Sequence, residues 1–261
     1  AVDEIMCDKA FGSAGSRVVI EECLVGEEAS LLTFTDGKTI VPMVSSQDHK
    51  RAYDGDQGPN TGGMGTYAPA PVATPEIVAR AQREILDPVI AAMRAEGRTY
   101  KGCLYAGLMI TKDGPKVIEF NARFGDPETQ VVLPLLESDL VDIMLACADG
   151  TLQDLDIRWS SGAAVCVVMA AGGYPKSYHK GDAITGLEAA AQAGTVVFHA
   201  GTSQKDGQIV TNGGRVLGVT AKAGSIREAV ELAYQGVEKI HFAGAEYRKD
   251  IAHRALERLN K

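Results

Sequence analysis

The segment VIEFNARFGDPETQ, residues 117–130, places acidic, amide and basic side chains within one largely apolar stretch. If residues 117–121 form a strand, its side chains alternate between two faces, and Glu119 and Asn121 project from the same face. A carboxylate and an amide offer the oxygen ligands that Mg²⁺ prefers, and this ion completes its shell with water and substrate phosphates. Arg123, just beyond, has the planar guanidinium that suits phosphate oxygens. E-x-N alone is a weak signal, because the solvated face of an edge strand has the same pattern.

Basic residues and glycines follow one another between residues 46 and 65. Lys50 and Arg51 end the segment SQDHKR, and GPNTGGMG, residues 58–65, follows shortly after. The two cations could hold phosphates, and the exposed N–H groups of the glycines suit an anion. A disordered surface loop would have the same composition. No G-x-x-x-x-G-K-[ST] sequence and no G-x-G-x-x-G sequence between a strand and a helix is present, which disfavours a P-loop and a dinucleotide-binding fold.

The stretch VIEECLVGEE, residues 19–28, ends an apolar run with a cluster of acids. A strand that leaves one domain and crosses a hinge could offer a backbone carbonyl and an N–H to the edge of an adenine. An acid further along the chain could then reach the ribose hydroxyls. An acidic surface turn would have the same pattern, so this stretch carries little weight by itself.

Alternating elements that could position these residues are predicted up to residue 150. In chain order they are a strand (17–24), a hairpin (28–45), a functional or disordered loop (45–73), a helix from Thr74-Pro75, a strand pair (102–111 and 115–121) and two short helices. The hairpin turns at Asp36-Gly37. A kink or break of the long helix is expected at Pro88, because a proline lacks the N–H that an interior position donates. Ser138 is predicted to cap the last of these helices, which Gly150 ends.

The pattern changes near residue 160. Downstream, apolar strands are short and broken by glycine turns, and Ser225 with Glu228 forms a capping box ahead of an amphipathic helix. A last helix covers residues 250–259. We therefore predict a domain boundary at residues 155–162 and a smaller α+β domain beyond it.

Composition limits the classes of protein to which the chain can belong. It has 261 residues, which favours about two domains, and a net charge of −8, which disfavours a broad nucleic-acid surface. No apolar run approaches the roughly 20 residues needed to cross a membrane. Five scattered cysteines without a C-x-x-C pair indicate a reduced intracellular protein. The chain starts with neither a signal peptide nor an initiator Met, and we expect it to be a fragment.

The motifs together resemble the phosphoribosylamine–glycine ligase family (glycinamide ribonucleotide synthetases), ATP-grasp enzymes of purine biosynthesis. RFGDPETQ, SQDHKR, GPNTGGMG, YAGLMI, VMAAGGYP and VTNGGRVL match that family in order, from VIEECL to the end of the chain. The resemblance implies an α+β fold. It predicts a remnant of the lid domain with the hinge (1–27), an ATP-grasp core of antiparallel sheet with helices (28–160) and a C-terminal α+β domain (161–261).

The resemblance also implies roles for individual residues. Glu119 and Asn121 would bind the Mg²⁺ (or Mn²⁺) that bridges the phosphates of ATP. The remaining roles are catalysis by Arg123 and Lys50; nucleotide binding by Glu21, Leu24, Lys50, Arg51 and either Glu27 or Glu28; and substrate binding by Gly62, Gly63, Asp126, Pro127 and Glu128. Glu21 and Leu24 would present their backbones to adenine. Asp126 and Glu128 could instead cap the helix after Pro127.

The implied reaction is ATP-dependent ligation of glycine to 5-phosphoribosylamine through glycyl phosphate. The expected partners are these small molecules, without nucleic acid or membrane, in a cytoplasmic protein that is a monomer at full length. By the resemblance, the family's N-terminal domain and most of the lid would precede residue 1. If the given sequence is the whole polypeptide, we expect it to be unable to complete the reaction. A second departure is that GLMIT, on the preceding strand, lacks the third metal carboxylate of many ATP-grasp proteins.

Two other classes remain open at this point. Another ATP-grasp ligase, such as a biotin-dependent carboxylase subunit, should have the missing acid, and RFGDPE would be unexpected in it. A nucleotide-binding module without catalysis would keep the adenine hinge but lose the metal pair.

Overall fold

The computed structural model describes residues 1–260, which form two large antiparallel sheets, two two-stranded sheets and seven α-helices. The strands are β1 (Glu27–Thr35), β2 (Ile40–Pro42), β3 (Gln47–Asp48), β4 (Arg51–Tyr53), β5 (Gln57–Asn60), β6 (Gly65–Ala68), β7 (Gly102–Thr111), β8 (Gly114–Asn121), β9 (Ala163–Ala170), β10 (Val196–His199), β11 (Thr202–Lys205), β12 (Gln208–Thr211) and β13 (Arg215–Ala223). The helices are α1 (Pro75–Ala81), α2 (Asp87–Ala95), α3 (Thr129–Val132), α4 (Leu140–Asp149), α5 (Leu187–Gln192), α6 (Ile226–Val237) and α7 (His253–Leu259). The α+β class is confirmed.

The first sheet has the strand order β2-β1-β7-β8. Its alternating pattern buries both faces of the two central strands: Leu31 and Leu104 pack with α1 and α2, whereas Leu32 and Phe34 belong to a core on the opposite face. The predicted hairpin turn is confirmed, because Asp36 accepts hydrogen bonds from the N–H groups of the two residues after Gly37. β8 is an edge strand.

The second sheet, β10-β13-β9-β6-β3, joins distant parts of the chain. β6 comes from the glycine-rich stretch and pairs with β9, which is buried along its whole length. The stretch 45–73 was predicted as a loop, but it contains four short strands. β4 and β5 pair with each other, whereas β3 pairs with β6, which in turn pairs with β9 of the C-terminal part. The pairing with β9 has no local sequence signal.

The helices begin and end largely as predicted. Thr74 caps α1 by accepting a hydrogen bond from the Ile77 N–H at 3.3 Å. The expected break is present, as one π-helical turn over Gln82–Leu86, and Pro88 lies in the first turn of α2. Ser225 caps α6 through the Glu228 N–H.

Two local predictions were wrong. α4 is capped by Asp139 and not by Ser138, whose hydroxyl instead accepts from the Arg158 N–H at 2.8 Å. Residues 17–24 form no strand. Val19 and Ile20 are 81% and 84% exposed, and a strand needs a neighbour that this segment does not have among residues 1–260. Gly150 ends α4 in a left-handed conformation, as predicted.

Among residues 1–260, no helix has the length and apolar character needed to cross a membrane. All five cysteines are free thiols; Cys103, Cys147 and Cys166 are buried, whereas Cys7 and Cys23 are exposed.

Candidate functional site

The edge strand β8 carries Glu119 and Asn121 side by side on one face of the first sheet. They lie opposite Gly107 and Tyr105 of β7, beyond a β-bulge. The Asn121 amide donates to Glu119 Oε1 at 3.1 Å, so the two side chains converge. Within residues 1–260 no group of three or more His, Cys, Asp or Glu side chains could hold a metal. A carboxylate and an amide supply oxygen atoms of the kind that a hard cation binds, together with water and phosphate oxygens.

This face forms the wall of a pocket of about 190 Å³. The pocket is lined by Asp48, Lys50, Thr61, Gly62, Tyr105, Glu119, Asn121, Arg123, Asp126 and Glu128. The tertiary structure thus brings together seven residues that the sequence nominated from three separate stretches (Lys50, Gly62, Glu119, Asn121, Arg123, Asp126 and Glu128). Sequence reasoning missed Asp48, Thr61 and Tyr105. All three lie inside motifs that the sequence had singled out, but their types gave no separate signal.

A second pocket, of about 350 Å³, adjoins the exposed segment ahead of β1. It is lined by Glu21, Glu22, Leu24 and Glu28 together with residues of β7 and β8. Glu28 connects the two pockets, because its Oε2 lies 3.0 Å from Lys50 Nζ. Glu27 instead forms an ion pair with Arg258 of α7. Of the two candidate ribose ligands, only Glu28 therefore lines this pocket.

The two adjoining pockets form one cleft, which is lined by both acidic and basic side chains. Burial acts to lower the pKa of Lys50, but the carboxylates of Glu28, Asp48 and Glu119 outweigh it and raise the pKa above its usual value. Lys50 is therefore a cation throughout the neutral range. Arg123 donates to the Phe124 carbonyl at 2.9 Å and lies 3.5 Å from Asn121 Oδ1. Cations and the acid–amide pair thus face one small volume.

The remaining nominated residues lie beside the pocket or away from it. Gly63 and Pro127 pack together: a Cβ added at Gly63, where φ is +115°, would lie 2.5 Å from Pro127 Cδ. Arg51 does not line the pocket, because its guanidinium donates to the Gly58 carbonyl at 2.7 Å. It supports the turn between β4 and β5.

The C-terminal part of the chain contributes Arg215, which the sequence did not nominate. Its guanidinium donates to the carbonyls of Gly62 at 2.7 Å and Asp126 at 3.0 Å, and lies 3.3 Å from Asp126 Oδ2. Arg215 thereby joins two segments of the cleft. The motif VTNGGRVL gave a signal for it, but the sequence did not say that the arginine would cross to the other sheet.

His49 is buried and has a structural role. Its Nε2 accepts from the Ala252 N–H at 3.0 Å, and burial lowers its pKa below the usual value. It is therefore a neutral anchor between the glycine-rich segment and the start of α7.

Comparisons with known proteins agree with this geometry. Residues 1–129 match the family model described as the ATP-grasp (A) domain of phosphoribosylglycinamide synthetase, and residues 164–254 match the C domain of the same enzyme. The sheet with its acid–amide pair and the two pockets therefore belongs to an ATP-grasp protein. The chain is a member of the phosphoribosylglycinamide synthetase family.

Relatives of known name are similar over nearly the whole chain. A bifunctional purine biosynthetic protein of Schizosaccharomyces pombe is 56% identical over 98% of this chain, which spans 32% of that protein. A phosphoribosylamine–glycine ligase of Vibrio vulnificus is 54% identical over 99% of this chain, which spans 60% of it. A crystal structure of phosphoribosylamine–glycine ligase from Thermotoga maritima superposes with a TM-score of 0.81 at 39% identity, covering 89% of this chain and 57% of that one.

Proposed function

We propose that the chain forms the nucleotide-binding and catalytic cleft of an ATP-dependent ligase that joins glycine to 5-phosphoribosylamine. The products are glycinamide ribonucleotide, ADP and phosphate, a step of purine biosynthesis. The observation that carries the proposal is the convergence of Lys50, Glu119, Asn121 and Arg123 on one pocket. Family membership and the printed names of the relatives support it.

ATP would lie along the two adjoining pockets. The backbones of Glu21 and Leu24 would meet the adenine edge, and Glu28 is the better candidate for the ribose, because Glu27 is engaged by Arg258. The phosphates would then extend toward Lys50 and Arg123. Arg51 would contribute indirectly, by holding the turn between β4 and β5, since its guanidinium donates a hydrogen bond to the Gly58 carbonyl.

Glu119 and Asn121 would hold a divalent cation, Mg²⁺ or Mn²⁺. Such an ion neutralises charge on the phosphates of a bound nucleotide. The fit is supported by a carboxylate and an amide that line the same pocket and lie within hydrogen-bonding distance of each other.

The reaction itself needs no side-chain nucleophile. An oxygen of the glycine carboxylate attacks the γ-phosphorus of ATP, the bond to the β-phosphate oxygen breaks, and ADP leaves with that electron pair. The phosphoribosylamine nitrogen then attacks the acyl carbon of glycyl phosphate, phosphate leaves, and the nitrogen loses a proton. Arg123 and Lys50 would balance charge on the transferring phosphoryl group.

The remaining assignments concern the substrates and the setting. Asp126, Pro127, Glu128, Gly62 and Gly63 would surround the bound amino acid and amine, and the segment 52–66 would keep water from the acyl phosphate. A cytoplasmic location and a monomeric state at full length remain predictions.

Nucleotide binding by this chain tests the metal assignment. Glu119→Gln should weaken Mg²⁺-dependent ATP affinity about 10- to 100-fold, because the cation would lose its charged protein ligand, an interaction worth roughly 1.5–3 kcal/mol. Glu96→Gln, at an exposed helix end, is the matched control and should change nothing. Isothermal titration calorimetry with and without Mg²⁺ measures both; equal affinity in the Glu119 variant would remove the metal assignment.

Ligation is tested in a chimera in which this chain replaces the matching segment of the V. vulnificus relative. Glycine with phosphoribosylamine should give ADP and glycinamide ribonucleotide, whereas bicarbonate or larger amino acids should not. ADP formation driven by bicarbonate would instead favour the carboxylase alternative. That class is disfavoured already, because Leu108, Met109 and Ile110 of β7 supply no metal carboxylate.

A further inference from the structure

Gln47 is a buried side chain in the motif SQDHKR that none of the roles described above uses. It is 1% exposed and belongs to β3, the edge strand of the second sheet. Gln47 lines neither of the two pockets, so any effect on a ligand must pass through a neighbouring residue. A buried amide is costly unless its donor and its acceptor are both bonded, and its partners therefore indicate what it does.

The two partners of the Gln47 side chain lie in different sheets. Its Nε2 donates to the Glu28 carbonyl of β1 at 2.6 Å, and its Oε1 accepts from the Tyr67 hydroxyl of β6. Gln47 and Tyr67 are opposite each other in the β3–β6 pair, which places both side chains on the same face. One side chain therefore connects the core of the second sheet to the strand that carries a candidate ribose ligand.

Tyr67 determines which way the amide points. Its ring is buried in the core formed with β9 and β13, and burial raises the pKa of its hydroxyl above the usual value. The hydroxyl therefore keeps its proton and donates it to Gln47 Oε1. Since the oxygen end of the amide is used in this way, the Nε2 end faces the Glu28 carbonyl.

The Glu28 carbonyl receives this donor where backbone pairing has stopped. Ser30 and Ser46 exchange two backbone hydrogen bonds, of 2.8 and 3.0 Å, in an isolated bridge between β1 and the segment ahead of β3. Residues two apart in a strand direct their carbonyls to the same side, so the Glu28 carbonyl points toward the same segment as that of Ser30. There the Gln47 side chain takes the place of a backbone N–H and continues the contact toward the start of β1.

The other edge of β1 is held by β7. Glu28 lies opposite Met109, and the backbone of Gly26 packs against the Ile110 carbonyl so closely that a side chain would not fit. The start of β1 is thus fixed from both sides, and the Glu28 carboxylate extends from it toward the second pocket and Lys50. A shift of the Glu28 backbone would move this carboxylate relative to a bound nucleotide.

We propose that Gln47 is a positioning residue for nucleotide recognition, which holds the Glu28 backbone so that the Glu28 carboxylate can bind the ribose hydroxyls. The proposal rests on the proposed function, in which Glu28 contacts the ribose. Tyr67 takes part because it orients the amide. The preference of the cleft for a nucleotide with ribose hydroxyls is therefore set partly by the second sheet, and not by the residues of the pocket alone.

The test compares ATP with 2′,3′-dideoxy-ATP, which lacks the ribose hydroxyls, in the chimera with the V. vulnificus relative. Isothermal titration calorimetry with Mg²⁺ should show that the parent binds ATP about 10- to 100-fold more tightly, the factor expected for hydrogen bonds to a charged group. Gln47→Met keeps the volume but bonds neither neighbour, and it should reduce this preference about three-fold or more. Gln153→Met, at an exposed position outside both pockets, is the matched control and should keep the preference.

Melting temperatures separate positioning from a merely structural effect. Gln47→Met deprives the Tyr67 hydroxyl of its acceptor and should lower the melting temperature, whereas combining it with Tyr67→Phe removes both groups and should recover most of the loss. The double variant still leaves the Glu28 carbonyl without this donor, so its preference for ATP should stay as low as that of Gln47→Met. Tyr67→Phe alone should lower the preference by a smaller factor, and this result decides the matter if the Gln47 variants do not fold.

An unchanged ratio of the two affinities in Gln47→Met would overturn the proposal, even if both nucleotides bound more weakly, because such a loss would be structural. A double variant that recovered the preference together with the melting temperature would do the same. Glu28→Gln identifies a failure of the proposed function instead. If this variant keeps the parental ratio, or if the parent has no preference, Glu28 is not the ribose ligand, whatever the Gln47 variants do.

Discussion

Arg248 should be one of the most sensitive positions for stability, although it lies outside the candidate site. Its side chain is fully buried, and its guanidinium donates to Asp250 through two bonds of 2.7 Å and to Asp56 at 2.9 Å. A further bond of 3.2 Å reaches the Arg51 carbonyl. One side chain from the C-terminal region therefore fixes the glycine-rich segment that follows Lys50.

Arg248→Met would remove the cation, while the methionine side chain would roughly fill the space of the aliphatic part of the arginine. Breaking a buried ion pair on one side costs about 3 to 5 kcal/mol, because the remaining charge stays buried without a partner. Asp56 keeps Arg254 at 2.6 Å, and Asp250 keeps the Gly55 N–H at 2.8 Å. These remaining partners place the expected loss at the lower end, about 3 kcal/mol. That is a large part of the 5–15 kcal/mol typical of a folded protein.

Urea denaturation followed by circular dichroism measures this loss as a shift of the midpoint at unchanged slope. Lys249→Met is the matched control, because Lys249 is exposed and only its backbone N–H bonds to Asp54. Limited proteolysis should also cut the segment 51–60 faster in the Arg248 variant alone. A loss below about 1 kcal/mol relative to the control would refute the assignment of a buried ion-pair anchor, since that value is typical of an exposed pair.

Two further predictions concern acid and thiol chemistry. Burial acts to raise the pKa of Asp250, but the Arg248 hydrogen bonds outweigh it and lower the pKa from 3.8 to about 2. This stabilisation is therefore complete above pH 3.8 and lost as the pH falls toward 2, so urea midpoints should drop across that window, and less steeply in Asp250→Asn. Iodoacetamide at pH 8 should modify two thiols of the native chain, the exposed Cys7 and Cys23, and all five after denaturation. Burial raises the pKa of Cys103 and Cys166 to about 12, which makes both thiols unreactive at pH 8. Mass spectrometry that finds either of them labelled in the native chain would contradict their burial in the core.

Local features of the fold were predictable because their causes are local. The turn at Asp36-Gly37, the cap at Thr74 and the helix end at Gly150 each depend on residues within a few positions of one another. The cap of α4 was misassigned by one position, because Ser138 and Asp139 are adjacent in the chain and both side chains can accept hydrogen bonds from backbone N–H groups. Apolar residues alone did not make residues 17–24 a strand, since no neighbouring strand pairs with them.

The candidate site was predictable to a similar extent. Period-2 alternation correctly placed Glu119 and Asn121 on one face, and motif resemblance nominated Lys50 and Arg123. The choice between Glu27 and Glu28 needed the structure, because the strand sends these neighbours to opposite faces and only one face adjoins the pocket.

By itself the sequence determined which chemical groups are available, the alternation that pairs an acid with an amide, and the family to which they belong. Only the tertiary structure decided which distant groups meet. It brings Arg215 across from the other sheet, and it encloses Asp48 beside Glu128 without a countercharge. The physical reason is that strand pairing and burial depend on partners far along the chain, whereas alternation and capping depend on neighbours.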